Sequence, residues 1–246
     1  MLLRDKTAVI TGNPYGIGRV AAKLFAEQGA TVICLDDTDD GWTSTGHSKS
    51  PGPRFLIDVS NPDEVSAVAR ECERTHGQVH VLFNLAGRTI GQRFEETSID
   101  TWDQMIKRNL TAAFICSQHF LPLMKGSGGG SIINHGSIDG ALGNPGLAAY
   151  SSAKGGITSL THVMAHDLSQ YGIRVNSIAT GGIRDGIGRP NDDRLVALTP
   201  AGRMGTPEDV ARVALFLACD WSSYVNGTNI VVDGGRTTIT QGCYAF

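Results

Sequence analysis

No stretch of this chain approaches the run of about eighteen apolar residues that a membrane-spanning helix requires. Its first residues, Met1-Leu2-Leu3-Arg4-Asp5, are too short and too polar for a secretory leader. Cysteine is sparse and scattered: Cys34, Cys72, Cys116, Cys219 and Cys243 are odd in number and lack C-x-x-C spacing. That pattern argues against a disulfide framework or a metal site and fits buried, reduced thiols. Cationic residues are not in excess, with 21 Lys and Arg against 24 Asp and Glu, so a nucleic-acid footprint is missing. Charged residues make up only 18% and hydrophobic residues 41%, which excludes a disordered chain. The expectation is a cytoplasmic globular protein that binds a small molecule, with no metal, membrane or nucleic-acid partner.

What the 246 residues do contain is glycine, 31 of them, and an alternation of strand and helix signals. Thr7 to Thr11 reads as a buried strand and leads into the turn Gly12-Asn13-Pro14-Tyr15-Gly16-Ile17-Gly18. Val20, Ala21, Leu24 and Phe25 then fall at helical spacing, and Thr31 to Leu35 forms a second strand that closes on Asp36. Strand, glycine turn, helix, strand and acid together make a dinucleotide-binding unit. The glycines let backbone approach a pyrophosphate, and the helix start offers unpaired N–H groups. Asp36 stands where a carboxylate accepts from adenosine ribose hydroxyls and repels a 2′-phosphate. With no Arg or Lys at positions 13 to 15 or at 37, the expected cofactor is NAD.

Downstream, residues 37 to 53 form a polar loop, and a strand is expected from Arg54 to Val59. Further strands are expected over Val79 to Leu85, Ser131 to Asn134, Ile173 to Ile178 and Asn229 to Val232. Helices fall between them, two opening on the capped sequences Asn61-Pro62-Asp63-Glu64 and Thr206-Pro207-Glu208-Asp209. The alternation predicts a single α/β domain over residues 1–246: a Rossmann-like, doubly wound parallel sheet of about seven strands with helices on both faces.

One helix carries Tyr150 and Lys154, four residues apart and so on one face. An ammonium beside a phenol is expected to favour the phenolate, and the Ser137 hydroxyl can hold the oxygen that exchanges a proton with it. Asn109 interrupts an apolar helical pattern that includes Trp102, Met105 and Phe114. His135 reads as a satisfied core histidine.

Taken together these segments resemble the short-chain dehydrogenase/reductase family over nearly the whole chain. Thr11-Gly12 through Gly18 resembles its cofactor turn, Asp58-Val59 its adenine contact, and Leu85-Ala86-Gly87 the end of its N-N-A-G motif. Asn109, Ser137, Tyr150 and Lys154 match its catalytic tetrad, while the segments Arg203–Ala211 and Val232–Gly235 resemble its C-terminal signatures. The resemblance implies Tyr150 as general acid/base, Lys154 as its electrostatic partner and holder of the nicotinamide ribose, and Ser137 as the substrate-oxygen anchor. It implies that Asn109 anchors a water leading from Lys154 to solvent. Cofactor contacts are expected at Gly12, Asn13, Tyr15, Gly16, Ile17, Gly18, Asp36, Asp58, Val59, Leu85, Ala86, Gly87, Tyr150, Lys154, Gly181, Ile183 and Asp185. A homotetramer formed through the helices bearing Asn109 and Tyr150 is likewise implied.

Three positions depart from the family pattern. Leu85 stands in place of an asparagine, so a polar contact on the central strand is expected to be missing. Thr180 replaces a proline, and Asp185 a threonine. The substrate cover, about residues 183 to 199, is short. Arg88, Thr89, Ser137, Asp139, Asn144 and Gly182 are the candidate substrate contacts, polar enough to favour a polyol, sugar or oxygenated ring. The expected reaction is interconversion of a secondary alcohol and its ketone. A 3-oxoacyl carrier-protein reductase and a catalytically dormant dinucleotide-binding regulator are the competing readings.

Overall fold

The computed structural model describes residues 1–12, 16–38, 51–184 and 192–238. The strands are β1 (Thr7–Thr11), β2 (Thr31–Asp36), β3 (Arg54–Leu56), β4 (Val81–Asn84), β5 (Gly130–Ser137), β6 (Ile173–Thr180) and β7 (Asn229–Val232). They form one parallel sheet in the order β3-β2-β1-β4-β5-β6-β7. Strand order reverses between β1 and β4, and that switch point opens a crevice at the carboxyl ends of the strands.

Helices cover both faces. On one, α1 (Ile17–Glu27) and α8 (Pro207–Ala218) pack on Ala8, Ile10, Val32, Phe83 and Ile178. On the other, α2 (Pro62–His76) and α4 (Ala112–Gly126) cover Val9, Ile33, Leu82, Ile132 and Val175. Burial on both faces explains why the strand sequences are near-continuous apolar runs rather than alternating ones. The remaining helices are α3 (Ile99–Ile106), the single turn α5 (Asp139–Leu142), α6 (Ala148–Asp167) and α7 (Asp193–Ala197). No helix among the described residues is long and apolar enough to cross a membrane.

Both capped starts form. Asn61 accepts from the Asp63 N–H at the head of α2, and Thr206 and Asp209 make a reciprocal capping box at α8. Glu64 is used differently from a simple box residue: it accepts from the Asn61 amide and from the Asp58 backbone N–H, 2.9 Å away.

The strand from Arg54 ends at Leu56 rather than Val59, because Asp58 folds back to accept from the Ser60 N–H and hydroxyl. β5 is longer than expected and carries the chain to Ser137, in register with Thr180 of β6. The apolar pattern around Asn109 is one element only in part. A π-helical stretch, Lys107–Thr111, joins α3 to α4, and Trp102 and Phe114 remain substantially exposed. Residues 185–191 of the expected cover lie outside the described residues, and α7 occupies its second half.

Candidate active site

The site gathers at the carboxyl ends of β1, β4, β5 and β6. Gly12 follows β1 with a φ of 73°, and a Cβ there would stand 2.6 Å from the Ala86 Cα. Only glycine permits both that conformation and that approach. Thr11 clamps the same junction, its hydroxyl accepting from the Leu85 and Ala86 N–H groups at 3.1 Å each. Gly16 caps α1 with no side-chain hydrogen bond and no acid in the first helical turn, so the helix start offers its N–H groups to an anion. Ile17 and Gly18 are buried beneath it, while Asn13, Tyr15 and Asp185 lie outside the described residues.

A cleft beside this turn is lined by Gly12, Leu35, Asp37, Asp58, Val59, Ala86, Gly87 and Arg108. Arg108 donates to Asp37 at 2.8 Å across its mouth. Asp58 is held below the usual carboxylate range: the Ser60 hydrogen bonds and the nearby Lys107 and Arg108 together outweigh its partial burial. Asp36 is only 2% exposed and pairs with Arg54 at 3.3 Å. Leu85 is withdrawn into the core, and the buried polar contacts of this strand are those of its neighbour Asn84. Asn84 donates to Ser117 (3.0 Å) and Asn134 (2.9 Å), and Asn134 in turn donates to Thr161.

Asn109 is 2% exposed. Its amide donates to the Arg88 carbonyl (2.8 Å) and to the Met105 carbonyl (3.0 Å), and its oxygen accepts from the Arg88 N–H (3.1 Å). Both amide hydrogens are committed to protein. Its observed work is to fix the backbone after Gly87, where a Cβ would stand 2.6 Å from the Asn109 Oδ1.

Lys154, also 2% exposed, donates to the His135 carbonyl at 2.7 Å and lies 5.7 Å from the Tyr150 ring centre. Burial pulls its pKa down to about 7. Close packing keeps it there: a Cβ on Gly140 would come within 2.5 Å of the Lys154 carbonyl carbon, and Leu110 lies over Gly156.

The Tyr150 phenol is pushed up, chiefly by desolvation and further by the Asp139 charge, against lowering hydrogen bonds with Ser137 and Thr89. Lys154 is itself desolvated and donates to a carbonyl, and burial is the largest influence on the phenol. His135 is half-buried, and desolvation and the neighbouring Lys154 hold its pKa well below normal. Its Nε2 meets the Thr180 hydroxyl at 3.2 Å.

On the substrate side, Ser137 accepts from the Asp139 N–H, and the Asp139 carboxylate accepts from the Asn144 amide at 3.2 Å. Thr89 reaches Tyr150, while Arg88 is exposed and contributes its backbone to Asn109. Gly181 is tied to Val232, and Gly182 and Ile183 pair with Gly205 at the rim. Sequence reasoning missed Arg54, Arg108, Asn84 and the His135 carbonyl. Asn84 and Asn134, polar residues within apolar strands, were the available signal for the buried ladder.

A family model described as enoyl-(acyl carrier protein) reductase matches residues 11–237. An uncharacterized oxidoreductase of Bacillus subtilis is 41% identical, covering 97% of this chain and 93% of its own length. A 3-oxoacyl-[acyl-carrier-protein] reductase of Thermotoga maritima is 37% identical, over 96% of this chain and 99% of its own length. An NAD-dependent glycerol dehydrogenase of Listeria innocua is 32% identical, over 96% and 95%. With the fold, the glycine turn and the Ser137–Tyr150–Lys154 cluster, these matches establish that the chain belongs to the short-chain dehydrogenase/reductase family of oxidoreductase enzymes.

Proposed function

We propose that this protein is an NAD(H)-dependent dehydrogenase that interconverts a secondary alcohol and its ketone, the alcohol being a polyol, sugar or oxygenated ring. The observation that carries the reading is the meeting of Ser137, Tyr150 and Lys154 near a cleft lined by Gly12, Asp58, Ala86 and Gly87. The residues present fit that cofactor. Gly12 leaves backbone room where a side chain would collide, the first turn of α1 carries no acid to repel an anion, and Asp36 is the acid for a ribose.

When bound, the nicotinamide accepts or donates the hydride. Everything else falls to the chain. Ser137 hydrogen-bonds the substrate oxygen and steadies charge that develops on it. Tyr150 takes the carbinol proton during oxidation and returns it during reduction. Lys154, titrating near neutrality, supplies positive charge when the phenolate forms and holds ribose hydroxyls. Asn109 fixes the backbone at Arg88 through its side chain.

Asp36 favours NAD, and the Listeria relative is named for that cofactor. Asp139 and Asn144 beside Ser137 favour a substrate with additional hydroxyls. The Thermotoga relative supports the second reading, a 3-oxoacyl carrier-protein reductase; Asp36, as a ribose acid, weighs against the NADPH preference such a reductase is expected to have. A homotetramer is proposed through the face carrying the exposed Ile99, Trp102, Phe114 and Val163, and sedimentation of a monomeric mass would contradict it. The function is tested by a panel of diols, sugars, cyclic alcohols and 3-oxoacyl thioesters, read by NADH and NADPH absorbance. NAD-linked oxidation of polyhydroxylated substrates is expected. NADPH-linked reduction of thioesters alone would overturn the reading.

A further inference from the structure

At the amino ends of the strands, away from the active site, lies a cavity of about 220 Å³ lined by Lys6, His80, Arg174 and Asp220 among several glycines. Lys6 precedes β1, His80 precedes β4, and Arg174 is the second residue of β6. The sheet therefore gathers basic side chains from three separate segments at one place. The volume is several times the roughly 30 Å³ share of one water, which leaves room for a tetrahedral oxyanion. Val81 and Ala218 are the only apolar side chains on its wall, so an apolar ligand has little to bury against.

The basic side chains there hold donors that the protein does not use. The Thr7 N–H donates to His80 Nδ1 at 3.1 Å, which places the ring hydrogen on Nε2. That Nε2–H meets no acceptor among the described residues, and the Lys6 ammonium closes no ion pair there. Arg174 donates from Nη1 to Ser222 (2.9 Å) and from Nη2 to the Leu217 (3.0 Å) and Cys219 (3.3 Å) carbonyls. Its Nε–H and one Nη1 hydrogen remain uncommitted among the described residues. By contrast, the nearby glycine N–H groups and the Ser127 hydroxyl are spent on main-chain carbonyls. Asp220 is the one acid on the wall, and Lys6 and Arg174 outnumber it.

We propose that this cavity binds a phosphate group, apart from the cofactor cleft, with Lys6 and Arg174 supplying charge and His80 a directed N–H. Burial and the Lys6 charge lower the His80 pKa. An anion in the cavity opposes the Lys6 field, so its binding favours protonated His80 and strengthens as pH falls. The charged groups that share the cavity with His80 are Lys6, Arg174 and Asp220.

The experiment titrates the protein with inorganic phosphate, phenyl phosphate and sulfate while following the His80 imidazole by NMR, its signals assigned by their loss in His80→Asn. Reading at His80 keeps anions bound in the cofactor cleft out of the measurement. Saturable shifts are expected, with tighter phenyl phosphate marking an esterified phosphate as the ligand and tighter inorganic phosphate a free one. Lys6→Ala should weaken either by roughly ten- to a hundredfold, the range of one charge-assisted hydrogen bond. Lys23→Ala, an exposed lysine paired with Glu27, should change nothing. Sulfate stays a dianion, and it should bind more tightly at about pH 6 than at about pH 7.5, across the ordinary histidine range. His80→Asn keeps an acceptor for the Thr7 N–H but removes the Nε2–H, so phosphate should raise its Tm less than it raises that of the wild type. Arg174 is left in place because it holds the carbonyls at the end of α8. Shifts that never saturate, equal affinity in Lys6→Ala, or an equal rise in Tm in His80→Asn would each overturn the site.

Discussion

Replacing Lys154 with methionine tests the site's electrostatics without knowledge of the substrate. The amine is 2% exposed, and burial lowers its pKa from 10.5 to about 7. Between those values the unfolded chain holds a proton that the folded chain has released. Stability therefore rises with pH across this window and is lowest, from this group, below the folded pKa. Integrating the linkage from pH 7 to pH 8.5 gives on the order of 1 to 2 kcal/mol, a few degrees in Tm for a chain of this size. His135, held well below its normal pKa, stays neutral throughout, and Tyr150, pushed up, titrates above the window. The thiols of Cys72 and Cys116, raised to about 11 and about 12, act in the opposite sense near the upper limit, but equally in both proteins. Melting wild type and Lys154→Met in parallel isolates the lysine. The wild type should gain stability relative to the variant as pH rises. Parallel Tm curves would mean that Lys154 keeps an ordinary pKa and would refute the desolvation argument.

Other consequences follow from the packing. Asn109→Ala strips partners from the Arg88 N–H and carbonyl and should cost roughly 2 to 4 kcal/mol, an effect that an unchanged urea midpoint would rule out. Gly140→Ala puts a methyl against the Lys154 backbone. It should reduce turnover at least about tenfold by displacing α6, and wild-type kinetics would show that the contact relaxes freely. Asp139→Asn removes a charge that raises the Tyr150 pKa, so the alkaline rise of alcohol oxidation should move to lower pH. A fixed profile would detach Asp139 from the phenol.

What could be read from the sequence was local. The first strand, glycine turn, helix and second strand follow one another within 36 residues, and their periodicities name them without tertiary information. The Tyr150 and Lys154 spacing was legible for the same reason. The burial of the pair was not, because it depends on the β5 carbonyl and on helix packing at Gly140 and Gly156, all set by the tertiary fold. Arg54 was passed over because its partnership with Asp36 exists only in the β2–β3 register. The buried bonds of Asn84 show the same limit, since only the fold reveals its partners. β3 was drawn too long because Asp58 ends it with a side-chain hydrogen bond that periodicity does not register.

The central claim is that Tyr150 carries the proton while the dinucleotide is held by other groups. Tyr150→Phe keeps the ring and removes the hydroxyl. Measured against a substrate turned over by the wild type, the variant should bind NADH within a few-fold of wild type and lose about three orders of magnitude or more in kcat. Undiminished turnover in Tyr150→Phe, with NADH binding intact, would contradict the account.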